Sequence, residues 1–279
     1  MNTIDLHIHS HCSDGSDSII ELAEKIKNAG IKIFALTDHD TVAGCEEMAK
    51  IISPDIIFIP SIELTCKEDL VKCHILGYNC DYNNETLLKL IEKGKDLRRK
   101  KLETRIKYLN EVWNIELTKG ELDWLYTRKS VVKTHIANIL VNRGLAQDNV
   151  SAMKKYLDGC KSGDTRFTGK EAVNAIIASG GIPIWAHPLG GEGEEHITPE
   201  EFYKRYDVLE KVGIKGLECH YSRYTQEEAK FLVDFANKNE LFITGGSDYH
   251  GSNKDIPLGK LNVENIEVNA NEFSILKGL

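Results

Sequence analysis

Apolar and polar positions follow two rhythms along the chain. Thr3 to Ile8 reads as a strand, and Ser18 to Ala29 as an amphipathic helix stopped by Gly30. Ile31 to Thr37 (IKIFALT) is a continuous apolar run, the mark of a strand buried on both faces. A helix near Val42 to Ile51, a strand over Ile56 to Leu64 and a short strand over Cys73 to Tyr78 follow. From Asn84 the rhythm changes. A long charged helix runs to about Tyr108, and further helices are expected near Glu121 to Tyr126, Thr134 to Arg143 and Val150 to Leu157, with no strands between them. Near Gly169 the first rhythm resumes. Helix Lys170 to Ser179 ends at Gly180-Gly181 and precedes the strand IPIWAH; helix Pro199 to Val212 precedes strand Ile214 to Cys219; helix Gln226 to Asn239 precedes strand Leu241 to Thr244. The pattern predicts an α/β body made of residues 1–82 plus 169–279, interrupted by a helical insert over 83–168. Alternating βα units predict parallel strands, closed as a barrel or open as a sheet.

Composition adds limits. With 279 residues, 41% of them hydrophobic and 28% charged, the chain can bury a sizeable core without disulfide staples. Seven cysteines, an odd number with no CxxC pair, suit a reducing compartment. Cys66, Cys73 and Cys80 recur every seven residues; a zinc site is one reading, and buried core thiols are the plainer one. The start, MNTIDLHIHS, has no basic region followed by an apolar run, so no secretory signal is expected and a cytoplasmic location is the default. No run approaches the ~18 apolar residues of a membrane span. The net charge of −8 argues against a general nucleic-acid coat, but it is uneven. Residues 84–168 hold 18 Lys and Arg against 11 Asp and Glu, a local +7, which leaves −15 on the rest.

The histidines and carboxylates are patterned. His7 and His9 lie two apart on a strand, so their rings share a side. Asp14 follows in a loop rich in Ser, Asp and Gly. His39 sits in TDHD, Glu63 ends IIFIPSIE, His74 opens HILGY, His187 closes IPIWAH, and Asp248 and His250 lie in SDYH. All but His7, His9 and His74 fall at or just after the C-terminal end of a strand, where β/α folds assemble their sites. Imidazole and carboxylate suit Zn²⁺, Mn²⁺ or Fe. The donors are too many for one ion, and Glu63 could bridge two or three, a constellation able to clamp a phosphoryl oxygen. A lone HxH or TDHD is more often structural; five separated strand ends delivering donors together are specific. Gly163 to Lys170 (GDTRFTGK) fails as a phosphate loop, since five residues separate its glycines and Glu171 stands where Ser or Thr should be. Neither GxSxG nor GxGxxG occurs.

The segments DLHIHSHCSDGSDS, ALTDHDTVAG, PSIELT, HILGY, AHP and GSDYHG resemble the motifs of the PHP (polymerase and histidinol phosphatase) superfamily, and within it the stand-alone TrpH/YciV-like phosphoesterases. The resemblance covers both ends of the chain. It implies a distorted (β/α)7 barrel with an inserted small helical domain capping the active site, and two or three divalent ions, Mn²⁺ foremost with Fe or Zn²⁺ as alternatives. It implies His7, His9, Asp14, His39, Glu63, His74, His187, Asp248 and His250 as ligands, with Glu63, Asp14 and His187 in catalytic roles. It also implies removal of the 3′-phosphate from 3′,5′-bisphosphonucleosides, or trimming of 5′-phosphorylated short RNA.

Two departures bear on the substrate. Lys133-Thr134-His135 stands where the subgroup has an Arg-Pro-His-like segment, which keeps a cation but loses the planar guanidinium fork. In HYSRY, Ser222 and Arg223 could grip a second phosphate or could be a helix cap with an exposed Arg. His135 is a substrate contact or a satisfied core histidine. Arg99 is a substrate contact or, with Arg98, Lys100 and Lys101, part of a solvated helix face. His11 is expected beside the site or in solvent, and His196 has no role. The alternatives are a histidinol-phosphate phosphatase, which needs no second cationic site, and a non-catalytic metal-binding accessory module, which would be missing ligands. No membrane and no obligate protein partner are expected.

Overall fold

The structure, a computed structural model, describes residues 2–161, 166–191 and 195–279. Strands β1 (Ile4–Ile8), β2 (Ile33–Leu36) and β3 (Ile57–Pro60) form a parallel three-stranded sheet in that order. A second sheet runs β4 (Ile62–Glu68), β5 (Val71–Tyr78), β6 (Ile182–Trp185), β7 (Gly216–Tyr221) and β8 (Phe242–Gly246). Helices α1 (Ile19–Asn28), α2 (Cys45–Ile51), α7 (Gly169–Ala178), α8 (Pro199–Val212) and α9 (Gln226–Lys238) connect them. Between β5 and α7 come α3 (Glu85–Trp113), α4 (Lys119–Tyr126), α5 (Lys133–Asn142) and α6 (Asn149–Ala152), the last continuing as a π-helical turn.

Local chemistry explains these boundaries. Helices α1, α4, α7 and α9 each open on a Ser or Thr with Glu three residues further on, and all four close a capping box. The long α3 ends at Asn114 in the left-handed conformation, past the predicted stop. Helices α3 to α6 pack about an apolar cluster of their own that includes Leu102, Leu109, Leu125, Ile136, Leu140 and Tyr156. Among the described residues no helix is long and apolar enough to cross a membrane. The rejected phosphate-loop segment begins in residues outside the described ones.

The expectation of parallel strands holds for β1–β3 and β6–β8 but not between them: β4 pairs antiparallel with β5, and β5 with β6. The single strand expected over Ile56 to Leu64 is two. Pro60 ends β3, its ring nitrogen having no N–H for a ladder, and Ser61 separates it from β4 in the other sheet. A tight turn at Asp69-Leu70 returns the chain, with Asp69 at positive φ and Glu68 paired to Val71. Asp-Leu lacks the glycine that marks such hairpins in sequence, so both strands run further than expected. The ladders among the described residues do not close into one ring. The sheets nonetheless meet beside β1: Asp248 N–H donates to His7 O and His9 N–H to Tyr249 O, both at 2.9 Å.

The three cysteines at seven-residue spacing are core residues. Cys66 and Cys73 face each other across the β4–β5 ladder, and Cys80, past the far end of β5, is buried as well. Burial pushes the thiols of Cys73 and Cys80 up to about 12 and about 11, and holds that of Cys66 well above the usual thiol range. Among the described residues no candidate metal group contains a cysteine, so the zinc reading is set aside.

Where β8 passes β1, a Cβ on Gly246 would collide with the Cβ of His7. Gly246→Ala is therefore expected to cost about 1–3 kcal/mol by overpacking, read as a lowered midpoint in thermal unfolding.

Candidate metal centre

The donors converge from seven places in the chain. His7 lies on β1, and His9 just beyond it. Both rings are fully buried, with their Nε2 atoms 3.1 Å apart. His39 follows β2, and an isolated bridge sets it against Glu63. Glu63 is the second residue of β4 rather than the end of a strand, and His74 lies within β5. His187 follows β6, and Asp248 and His250 follow β8.

Glu63 is the hub. Its Oε2 lies 3.2 Å from His7 Nε2, 3.1 Å from His9 Nε2 and 3.0 Å from His39 Nδ1. Its Oε1 lies 2.8 Å from His74 Nδ1 and 3.2 Å from His187 Nε2. Asp14 forms a second focus, 3.2 Å from His250 Nε2, 3.7 Å from His9 Nδ1 and 3.9 Å from His39 Nε2. Asp248 Oδ1 stands 3.3 Å from His9 and 3.4 Å from His250. Three overlapping groups could each hold an ion: His9, Asp14, His39 and His250; His7, His9 and Glu63; His39, Glu63 and His74.

Buried imidazoles and carboxylates are paired throughout the centre: against the lowering effect of burial, Glu218, Glu63 and Asp248 hold His7 and His187 above the ordinary histidine value, and Asp248, Glu63 and Asp14 hold His9 up at about 9. Burial by itself would raise the carboxyls of Asp14, Glu63 and Asp248, but the surrounding imidazoles, and Lys254 beside Asp248, hold all three well below their usual range. Burial keeps His39 and His250 below the ordinary histidine value, in the neutral form that binds metal. Four buried atoms face one another in two pairs, Asp14 Oδ1 with His250 Nε2 at 3.2 Å and His39 Nδ1 with Glu63 Oε2 at 3.0 Å, without an aligned hydrogen bond among the described residues. Buried polar atoms are normally satisfied, so four such atoms converging in one site match the donor set of bound cations.

The TDHD segment divides its work. Asp38 accepts from the Ser10 N–H and hydroxyl (2.8 and 2.6 Å) and from the Ser13 hydroxyl (2.6 Å), which fixes the loop carrying Asp14. Asp40, at positive φ, accepts from Thr65 N–H (2.8 Å) and from Arg98 Nε (2.6 Å), tying β4 and α3 to the site. His187 and Asp248 also have positive φ, a conformation that costs energy and clusters at functional sites.

Glu218, on β7, was not expected from the sequence. Fully buried, it lies 2.8 Å from His7 Nδ1 through Oε1 and accepts the His187 N–H at 2.7 Å through Oε2. It thereby turns His7 Nε2 toward the centre. A lone acid in the apolar strand GLECHY was its only signal.

The expected substrate contacts lie in different surroundings. The Arg99 guanidinium lies over the Tyr126 ring at 5.8 Å, and Lys133 is paired with Asp158. His135 is buried, its Nδ1 accepting the Val132 N–H at 3.0 Å, and its ring meets Trp124 edge-on. Burial lowers it to about 4, opposed by the charge of Asp14, which places it beside the Asp14 loop. Ser222 is buried with an unpaired hydroxyl, and Arg223 donates to Gly191 O at 2.8 Å. His11 is exposed, and His196 pairs with Glu228. Arg98 and Lys101 are not on a solvated face: Arg98 is bound to Asp40, and burial, with Arg105, Arg166 and Arg98 nearby, pulls Lys101 down to about 7.

Comparison with known proteins gives this geometry its context. The PHP domain family matches residues 5–163, more than half of the chain. The chain belongs to the PHP domain family. A 5′-3′ exoribonuclease of Haemophilus influenzae is 30% identical over 92% of this chain and 93% of its own length. A 3′,5′-nucleoside bisphosphate phosphatase of Chromobacterium violaceum is 25% identical over 90% of this chain and 88% of its own. A solved structure described as an amidohydrolase from Chromobacterium violaceum shares the fold with a TM-score of 0.80, at 24% identity over 91% of this chain and 90% of that one. This PHP chain is a metal-dependent phosphoesterase, a hydrolase of phosphoric esters.

Replacing Glu218 by Ala frees the His7 ring and leaves the His187 N–H unmet. Metal affinity, measured by competition with a chromogenic chelator, is expected to fall by about 10–100-fold.

Proposed function

We propose that this PHP enzyme removes the 3′-phosphate of 3′,5′-bisphosphonucleosides and also accepts short 5′-phosphorylated RNA. In this reading His7, His9, Asp14, His39, Glu63, His74, His187, Asp248 and His250 hold two or three divalent ions, Mn²⁺ foremost. The supporting observation is the mixed nitrogen and oxygen donor set gathered around Glu63, four buried atoms of which lack an aligned hydrogen bond among the described residues. Residues 83–168 are read as a helical domain capping the centre. Its own apolar cluster, the Arg98–Asp40 pair and the approach of His135 to the Asp14 loop favour that assignment.

Bound ions would polarise a phosphoryl oxygen, activate water and offset the charge of the transition state. The chain's own groups do the positioning. Glu63 stays ionised between five imidazoles and keeps them in one geometry. Asp14 and Asp248 flank it. His39, His74 and His187 form the open edge, with side chains 14, 30 and 14% exposed against 0% for His7 and His9. Substrate therefore approaches past these three rings. The nucleotide assignment draws on relatives that match nearly the whole chain and are named for a bisphosphonucleoside and for RNA.

Chelation with EDTA is expected to abolish phosphatase activity, with Mn²⁺ restoring it and raising the thermal midpoint. A rate panel in Mn²⁺ tests the substrate. Adenosine 3′,5′-bisphosphate should exceed histidinol phosphate in kcat/KM, and the reverse order would overturn the nucleotide reading.

A further inference from the structure

A cleft of about 870 Å³ runs between the helical insert and the body, within the roughly 300–1,000 Å³ of small-molecule sites. On one wall α4 provides Trp124, α5 provides Asn138 and Asn142, and the loop into α6 provides Gln147. On the other, the segment after β8 provides Asn253 and Lys254. Lys254 also lines the smaller cleft over the metal centre, and its Nζ lies 2.7 Å from Asp248 Oδ2. The two open spaces therefore adjoin at this lysine.

Both walls are held by specific bonds. Ser252 N–H donates to Ser16 Oγ and Asn253 Nδ2 to Asp14 O, both at 2.8 Å, so the segment carrying Lys254 is tied to the loop carrying Asp14. Across the cleft, Arg143 donates to Glu121 from Nε at 2.8 Å and to Glu116 O at 2.9 Å, joining the end of α5 to α4 and the turn before it. The Trp124 indole is 37% exposed. The Arg128 guanidinium lies 5.0 Å from its centre and the His135 ring meets it edge-on at 5.5 Å. Asn138 and Asn142, four apart on α5, share a face of the helix. Of the acids at the wall, Glu121 is paired with Arg143, Asp148 caps α6 and Asp255 is exposed. An exposed indole beside several side-chain amides is the chemistry that stacks on nucleobases and hydrogen-bonds their edges.

We infer that this cleft holds the part of an RNA strand that continues beyond the scissile phosphate. The following nucleosides stack on Trp124 and meet the amides, and Lys254 stands beside the phosphodiester where the strand leaves the metal centre. The inference rests on the phosphoesterase and RNA readings above and extends them. The same bond breaks in both substrates: a water oxygen joins phosphorus, and the 3′-oxygen of the first nucleoside leaves and takes up a proton. From a bisphosphonucleoside the phosphate is then released, whereas in RNA it stays on the nucleoside that follows. A bisphosphonucleoside has no following nucleoside, so it reaches the metal centre without occupying the cleft. RNA alone uses both spaces, and the shortened strand keeps a 5′-phosphate for the next round.

Steady-state kinetics in Mn²⁺ compare adenosine 3′,5′-bisphosphate with 5′-phosphorylated octa-adenylate. Trp124→Ala is expected to raise KM for the octamer roughly tenfold more than it raises KM for the bisphosphate. Asn142→Ala, at an exposed position, is the second variant and should shift the same ratio in the same direction by less. Thermal midpoints identify any variant that fails to fold. Equal shifts for the two substrates would place the first nucleoside in the cleft, and unchanged octamer kinetics in both folded variants would place the strand elsewhere; either result overturns the inference. If wild type hydrolyses the bisphosphate but not the octamer, the RNA reading falls by itself. Inhibition of bisphosphate hydrolysis by the octamer then decides the subsite: weaker inhibition of Trp124→Ala than of wild type upholds it, and equal inhibition ends it.

Discussion

A carboxylate buried to 1% exposure at the meeting point of five imidazoles is the constraint on which this molecule turns. Removing an ionised group from water costs several kcal/mol unless opposite charge or strong donors surround it. Among the described residues His7, His9, His39, His74 and His187 supply that surrounding for Glu63, at 2.8–3.2 Å. Those residues come from β1, β5 and the ends of β2 and β6. The relative placement of the two sheets is thus fixed by electrostatics as well as by packing. Asp38, Asp40 and Glu218 extend the same logic outward, each using both carboxylate oxygens to hold a loop, a helix or a ring in place.

Much of this was legible in the sequence. Strand and helix rhythm located nearly every element, and the structure adds capping boxes at four helix starts. The proposed ligands stood out because most of them recur at or just after strands, and the fold gathers all nine. The antiparallel β4–β5 hairpin escaped notice. Its turn is Asp-Leu, and its strands carry Thr, Cys and Lys instead of a clean alternation. Glu218 escaped because one acid in an apolar strand has no spacing partner to give it meaning.

The cations were the hardest to place. Sequence counts showed the excess over residues 84–168 but not which side chains are already occupied. Lys133 is neutralised by Asp158, and Arg98 by Asp40, pairings between residues far apart in the chain. Lys254 lies outside that basic stretch altogether and lines the metal cleft from a segment that Asn253 ties to the Asp14 loop. Charge density along a chain is a poor guide to charge density in space.

The contact between β1 and the end of β8 carries a further consequence. Asp5 and Ser247, bonded at 2.6 Å, are 242 residues apart, and the bond sits two residues from His7 and one from Asp248. Closing so long a loop is entropically expensive and comes late when a chain folds. The two foci around Glu63 and Asp14 are complete only after that closure. A nascent or partly unfolded chain presents those donors scattered, so ions would be held tightly only by the finished fold. The centre therefore doubles as a record of folding, and metal retention separates native molecules from near-native ones that optical probes of helix content would count together.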